Sequence, residues 1–325
     1  MHSVIAHADA LLAFVYLAIV GLVVYAATGP LSDANFWASY TQDPGPWCER
    51  DRSRAFVREP SNAFTDFSFL AAGICMIACA ARDLKHLRSH GLESQQANPL
   101  GGTTQASSVN KARPLNLIRA NPILSVVFGV INIVHAVGTF TNHSCRCLEG
   151  HILDVAGMYS VIYLFLCLSA LKYIHGAVVL AAKEKPLTLS DATLPDRAIA
   201  AFLLCLAAGV FGLYQISQLP YSDARTAPRE TLTVASMVIV ALILHAAYAH
   251  AVRSRIASQP RLIVIAVLLL IAAFGLHQMD IARILCNPDS LFQGHAAWHV
   301  MTCGSLSLVY SYHRNERWRT SETSQ

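Results

Sequence analysis

The chain has 325 residues, of which 54% are apolar and only 14% are charged, and its formal net charge is +4 at pH 7. Soluble domains carry about a quarter charged residues, so this composition excludes an ordinary soluble protein and predicts an integral membrane protein. The small net charge is accounted for by the connections between apolar stretches, and it gives no indication of a nucleic-acid partner.

Long apolar stretches predict membrane-spanning helices, because about 20 residues cross a hydrocarbon core of roughly 30 Å. The first stretch also fits a signal peptide, but its apolar run is long and no Lys or Arg precedes it, which favours a retained span. We therefore predict an all-α polytopic membrane helix bundle. In chain order the eight stretches are 8–28, 62–82, 121–141, 153–173, 197–218, 231–251, 261–281 and 292–312.

The distribution of basic residues predicts the orientation of the bundle. Eight spans place both termini on one side, and the connections on that side hold two thirds of the 24 Lys and Arg residues. Basic residues concentrate on the inner side of membrane proteins, so we expect both termini inside.

The connections differ in composition. Residues 83–120 form a Ser-, Gln-, Gly- and Asn-rich stretch that predicts a flexible inner loop, and residues 315–325 form a polar C-terminal tail. The outer connection that leads into the second span, by contrast, concentrates Trp and acidic residues. Four cysteines lie at the outer ends of spans, where an oxidising compartment allows disulfides in any of three pairings: Cys48, Cys145, Cys147 and Cys286.

Ionisable residues inside spans are costly and indicate functional sites. His143 ends the third span, Asp154 begins the fourth, and His295 and His299 lie in the first two turns of the eighth, so all four reach the same outer depth. Residues four apart share a helix face, which lets two imidazoles bind one metal ion. A third histidine completes a three-histidine set with an open position, as in catalytic zinc sites.

Other histidines leave alternatives open. His135 lies two turns deeper on the same helix as His143 and is a rival third ligand. For His245, His250 and His277 the favoured interpretation is hydrogen bonding between helices.

Two motifs together resemble the alkaline ceramidase family, membrane amidases with seven spans and a buried zinc. "QGHAAWHVMTCG" (residues 293–304) is similar to the family's HAWWH helix, and "GTFTNHSCRCLEGHILDVAGMY" (138–159) to its second zinc motif. The resemblance selects His143 over His135, and it implies a zinc site of His143, His295 and His299 with Asp154 and Thr139 as catalytic residues. Thr139 stands where the family has Ser.

The resemblance also implies an architecture and an activity. Residues 46–314 would form the seven-span ceramidase-like domain, preceded by an N-terminal span and linker over 1–45. The expected reaction is zinc-dependent hydrolysis of the N-acyl bond of ceramide or a ceramide-like lipid, giving a sphingoid base and a fatty acid. The implied partner is a membrane lipid substrate, and no obligate protein partner is implied.

A third motif, "WCERDRSRAFVREPSNAF", is similar to the family's calcium-binding segment. It implies calcium ligands at Trp47, Glu49, Asp51 and Glu59, and the resemblance further implies a disulfide between Cys48 and Cys286. This segment departs from the family at Pro46, at Asp66, which replaces an Asn, and in a spacing from Glu49 to Glu59 that is one residue short.

Two rival interpretations remain at the level of the sequence. The same zinc signature occurs in progestin and adiponectin receptors, although in those receptors the zinc half of the bundle faces the cytosol. A purely structural zinc is the third interpretation, and it requires a closed fourth ligand, for which Asp154 is the candidate.

Overall fold

The computed structural model describes residues 37, 39, 45–96, 116–176, 192–218, 226–252 and 256–318. Within these ranges the chain is a helix bundle with one short antiparallel strand pair, in which Ile256 pairs with Trp318. The elements are α1 Pro60–Thr65, α2 Phe67–Gln96, α3 Leu117–Ala120, α4 Pro122–Cys145, α5 Leu148–His175, α6 Asp196–Ser217, α7 Thr226–Val252, β1 Ile256–Ala257, α8 Pro260–Ile281, α9 Gly294–Arg314 and β2 Arg317–Trp318.

In the described part of the chain, six helices are long and apolar enough to cross a membrane. Their bounds are Pro60–Ser89, Pro122–Cys145, Leu148–His175, Asp196–Ser217, Leu232–Val252 and Pro260–Ile281. Apolar side chains such as Leu204 and Leu268 remain exposed on these helices, which indicates an integral membrane protein. The predicted all-α membrane bundle is thus confirmed in its class.

Within the described residues, six of the eight predicted spans have matching membrane-length helices. The predicted span 8–28 lies outside the described residues. The predicted span 292–312 does form a helix, α9, but its histidines, serines and terminal arginine make it less apolar than the six others. The seven-span core with one additional span therefore stays a prediction.

The predicted flexible loop over 83–120 differs from the structure at both ends. Helix α2 continues to Gln96, and Asp83 is buried against Arg314, with oxygen–nitrogen distances of 2.5 and 2.8 Å. At the other end Asn116 caps α3, and Leu117 is buried. Long-range ion pairs and caps of this kind are not visible in composition, so composition predicted a loop where local helix was formed.

Helices α4, α5, α8 and α9 position the site. The carboxyl end of α4, the amino end of α5, the carboxyl end of α8 and the amino end of α9 meet at one end of the bundle, called here the histidine end; the other is called the opposite end. Helix α4 packs closely on α5 because Gly138 lacks a side chain. A Cβ there would lie 2.7 Å from the Leu153 carbonyl oxygen.

Candidate metal centre

Three buried histidines converge at the histidine end. His143 comes from the last turn of α4, while His295 and His299 come from the first two turns of α9. Their ring centroids are 4.5 to 5.0 Å apart, and each side chain is at most 4% exposed. One ligand nitrogen from each lies within 4.8 Å of the others, so this group could hold a metal ion.

The spacing of the nitrogens fits a metal ion. Two ligand nitrogens at about 2.0–2.1 Å from one tetrahedral ion lie roughly 3.4 Å apart. The Nε2 atoms of His143 and His295 are 3.1 Å apart. Imidazole nitrogens suit zinc and other transition metals rather than magnesium or calcium.

Buried carboxylates lie against the Nδ1 atoms of two of the rings. Glu59 Oε2 lies 2.7 Å from Nδ1 of His143, and Asp66 Oδ1 lies 2.6 Å from Nδ1 of His299. The Asn62 carbonyl oxygen also faces that His299 nitrogen, at 3.2 Å. A histidine that donates its Nδ1 proton to a carboxylate keeps the Nε2 lone pair for a metal, and such partners orient the ring.

The third ring is held by aromatic and backbone contacts. Trp47 stacks on His295 with a centroid distance of 3.8 Å, and Nδ1 of His277 lies 2.9 Å from Nδ1 of His295. Asp280 accepts hydrogen bonds from the backbone N–H groups of His295 and of Cys48. The carboxylate thereby satisfies a free N–H in the first turn of α9 and ties that turn to the loop before α1.

The structure separates the two candidates for the third ligand. His135 packs edge-on against Phe69 with a centroid distance of 4.5 Å, and it is absent from the metal-competent group in the described residues. His143 is the histidine of α4 that meets the α9 pair. The interpretation of His277 as a contact between helices agrees with its contact to His295 across α8 and α9.

The two predicted catalytic residues lie beside the histidines. Thr139 precedes His143 by one turn of α4, is 1% exposed, and its Oγ1 has no hydrogen-bond partner among the described residues. Asp154 on α5 is half-buried and interacts electrostatically with His143 and His299. Asn142 Nδ2 donates to Asp154 Oδ2 over 2.8 Å and orients the carboxylate.

Two of the predicted calcium ligands, Glu49 and Asp51, have protein partners. Glu49 accepts from the backbone N–H groups of Ser61 and Asn62 in the first turn of α1, at 2.8 and 2.9 Å. Burial raises the pKa of Glu49, and these N–H groups oppose the rise. Asp51 pairs with Arg58.

The other two predicted calcium ligands belong to the histidine site. Glu59 contacts His143 and Arg146, and Trp47 stacks on His295. In the ranges that the structure describes, the three histidines are the group of side chains that could hold a metal ion. Trp47, Glu49, Asp51 and Glu59 do not form a second group of this kind there.

Two disulfides lie at the histidine end. Cys48 is bridged to Cys286, the pair that the family resemblance implied, and Cys145 is bridged to Cys147 across the turn between α4 and α5. The first bridge joins segments 238 residues apart in sequence. It holds the loop before α1, which contains Trp47, against the segment that precedes α9.

An apolar cavity begins next to the site. It is bounded by α4, α5, α7, α8 and α9, and it extends from His135 and Trp298 to His245 and His313 at the opposite end. A second groove lies beside α9, where Thr65 and Ala296 line it. At its rim Leu291 and Phe292 are 80% and 94% exposed, which a membrane protein tolerates where lipid covers such side chains.

Sequence reasoning missed the residues that orient the ligands. Glu59 was interpreted as a calcium ligand and Asp66 as a departure from a motif, yet each faces the Nδ1 atom of one of the three clustered histidines. The available signals were the acidic character of Glu59 just before the predicted second span and the position of Asp66 inside that span, and neither reveals the partner.

Comparison of the chain with protein-family models, with curated proteins and with solved structures gave no significant match.

Proposed function

We propose that the protein is a zinc-dependent membrane amidase that hydrolyses the N-acyl bond of ceramide or a ceramide-like lipid. The observation that carries the proposal is the buried set of His143, His295 and His299. Carboxylates contact two of the three histidines. Next to them lie the Asp154 carboxylate and the Thr139 hydroxyl, which has no hydrogen-bond partner among the described residues.

The donor set supports a catalytic rather than a structural metal. A group of three histidines leaves one coordination position for substrate or water. Asp154 is not a member of the metal-competent group in the described residues, although a closed structural site would need it as the fourth ligand. A bound zinc ion would supply Lewis acidity and lower the pKa of a water molecule toward 7.

We propose that Asp154 moves protons in the reaction. Its Oδ2 is held by the amide of Asn142, the residue directly before His143. We infer that the carboxylate takes a proton from the attacking water and delivers it to the departing amine nitrogen, as a general base and then a general acid.

We propose that Thr139 stabilises the negative charge that develops on the substrate. Its hydroxyl is buried one turn from His143 and has no protein acceptor in the described part of the chain, so its proton is available for substrate. A donor of this kind contributes about 3–4 kcal/mol when it faces an oxyanion.

The apolar cavity supports a lipid substrate. Its walls are almost entirely hydrocarbon, and along α9 it spans the distance from Trp298 to His313, roughly 22 Å at 1.5 Å per residue. An acyl chain in this cavity would place its amide at the histidine end. The groove beside Thr65 would give the lipid sideways access from the membrane.

We further propose that the histidine end faces the lumen or periplasm. Two thirds of the Lys and Arg residues fall on the other predicted side. Both disulfides lie at the histidine end, which suits an oxidising compartment.

The test is to incubate the purified protein with a panel of N-acyl lipids, with and without a zinc chelator, and to measure released fatty acid. We expect amide hydrolysis that the chelator abolishes and added zinc restores. Saturable lipid binding without turnover would overturn the amidase proposal and favour the receptor interpretation. Turnover unaffected by complete metal removal would overturn the metal-dependent mechanism.

A further inference from the structure

The loop that leads into α1 is fastened to the carboxyl end of α4. The backbone N–H of Arg58 donates to the Ser144 carbonyl oxygen over 3.2 Å, and that of Glu59 donates to the His143 carbonyl oxygen over 2.9 Å. Helix ends leave carbonyl groups unsatisfied, so this loop completes the end of α4 at the metal-site histidine.

Two arginine side chains reinforce the same junction. The Arg58 guanidinium pairs with both carboxylate oxygens of Asp51 and donates to the Cys145 carbonyl oxygen over 3.0 Å. The Arg146 guanidinium pairs with Glu59 and donates to the Gly45 carbonyl oxygen over 3.2 Å. Positive charge is favourable at this position because the carboxyl end of a helix carries partial negative charge.

A calcium ion does not fit among these groups. Calcium requires six to eight oxygen ligands, several of them carboxylates. Asp51 and Glu59 are already neutralised by guanidinium groups, and both oxygens of Glu49 accept backbone N–H bonds. A divalent cation next to two buried guanidinium groups would be repelled, and burial weakens the screening of that repulsion.

The place for Arg146 is built into the backbone. Arg146 ends α4 with φ 49°, a left-handed conformation that costs a non-glycine residue about 1 kcal/mol or more unless its surroundings hold it. Gly45 leaves room for the guanidinium, because a Cβ at that position would lie 2.8 Å from Arg146 Nη2. Both features favour a fixed position for this side chain.

We propose that Arg146 and Arg58 take the structural role that a calcium ion would have in this loop, and that calcium is not a cofactor of this protein. Arg146 is a positioning residue: it holds Glu59, and Glu59 orients His143 through Nδ1. The series of contacts from Arg146 through Glu59 to His143 therefore consists of protein groups alone.

The first experiment titrates calcium into the purified, zinc-loaded full chain while the thermal midpoint is measured. Extracellular calcium modules bind with dissociation constants of about 10⁻⁴–10⁻³ M, so a titration to roughly 10 mM covers that range. We expect no saturable change in the midpoint. A saturable rise would show that calcium binds the folded state and would overturn the proposal.

The second experiment compares Arg146→Ala with the control Arg50→Ala. Arg50 lies in the loop before α1, and its exposed guanidinium pairs with Asp289, which lies between α8 and α9. Zinc affinity is measured by competition with a chromophoric chelator. We expect Arg146→Ala to weaken zinc binding about 10- to 100-fold, as loss of an orienting partner does, and Arg50→Ala to leave it unchanged. Arg146→Lys should give an intermediate loss, since an ammonium cannot reproduce the two-sided contact.

A second variant keeps the test decisive. If Arg146→Ala fails to fold, Gly45→Ala displaces the guanidinium more gently and should also weaken zinc binding. Unchanged zinc affinity in a folded Arg146→Ala variant would overturn the positioning role. None of these measurements uses lipid turnover, so their failure is distinguishable from a failure of the proposed amidase activity.

Discussion

At the opposite end of the bundle Lys172 Nζ lies 2.6 Å from Glu316 Oε1, whereas at the histidine end three imidazoles meet one another and carboxylates contact two of them from outside. Both clusters are buried, but their charges are arranged differently. Lys172 also contacts His313 Nδ1 at 2.9 Å and lies 4.6 Å above the Tyr248 ring. Burial raises the pKa of the Glu316 carboxyl, and the lysine opposes that rise.

The difference distinguishes a cluster of paired charges from a group of histidines that could hold a metal ion. At the opposite end, Lys172 with Glu316 and Arg314 with Asp83 form pairs in which each charge meets its opposite, so nothing further is required. At the histidine end the carboxylates contact the Nδ1 atoms, on the outer side of the rings. The remaining nitrogens point toward one another, an arrangement that a metal ion satisfies.

The largest effect should come from His299→Ala. Loss of one of three ligands leaves two imidazoles, and we expect bound zinc and amidase activity to disappear together. Metal content by elemental analysis and fatty-acid release measure the two losses. His250→Ala is the matched control because this histidine is exposed on α7. An inactive His299→Ala protein that retains full zinc would place the metal elsewhere.

The next largest effect should come from Lys172→Met, which tests the other side of the comparison. Removing one partner of a buried ion pair leaves the second charge uncompensated, at a cost of about 3–5 kcal/mol. We expect the Lys172→Met variant to have a lower thermal midpoint than the unaltered protein. The fraction of the variant that folds should bind as much zinc as the unaltered protein does.

The double variant Lys172→Met with Glu316→Gln is the control for that prediction. Neutral residues at both positions remove the uncompensated charge, so most of the stability should return. Zinc loss in the folded single variant would contradict a purely structural role for the opposite end.

Much of the fold was predictable because membrane helices need long apolar runs. Predicted spans such as 261–281 agree with Pro260–Ile281 within a few residues. Helix α4 ends at Cys145, beyond the predicted 141, since its last turn is polar and a hydropathy pattern stops before it. The helical start of the predicted 83–120 loop was missed because its ion pair with Arg314 is long-range.

The site was predictable in part. The four-residue spacing of His295 and His299 indicates a shared helix face without further information. Spacing alone did not choose between His143 and His135, and the resemblance to a family motif did. The partners of Glu59 and Asp66 could not be read from the sequence, since Glu59 and His143 are 84 residues apart and carboxylates give no periodic signal.

Thr139→Ala should produce a smaller, purely kinetic effect at the histidine end. We expect turnover to fall about 10²- to 10³-fold, because one donor to the developing oxyanion is lost. Zinc content and thermal midpoint should stay the same. Thr141→Ala is the matched control, since the Thr141 hydroxyl donates to the Val137 carbonyl oxygen within α4. Loss of metal in Thr139→Ala would refute the oxyanion role.

The smallest effect should come from the outer side of the rings, where Asp66 meets His299. Asp66→Ala removes the carboxylate that orients this ligand, so zinc affinity should fall about 10- to 100-fold while the three histidines remain. Asp66→Asn keeps an oxygen acceptor without the charge and should lose less. Chelator competition measures both variants. Equal losses of zinc affinity in the two variants would show that Asp66 contributes charge rather than ring orientation. The histidine end would then differ from the opposite end in net charge and not in geometry.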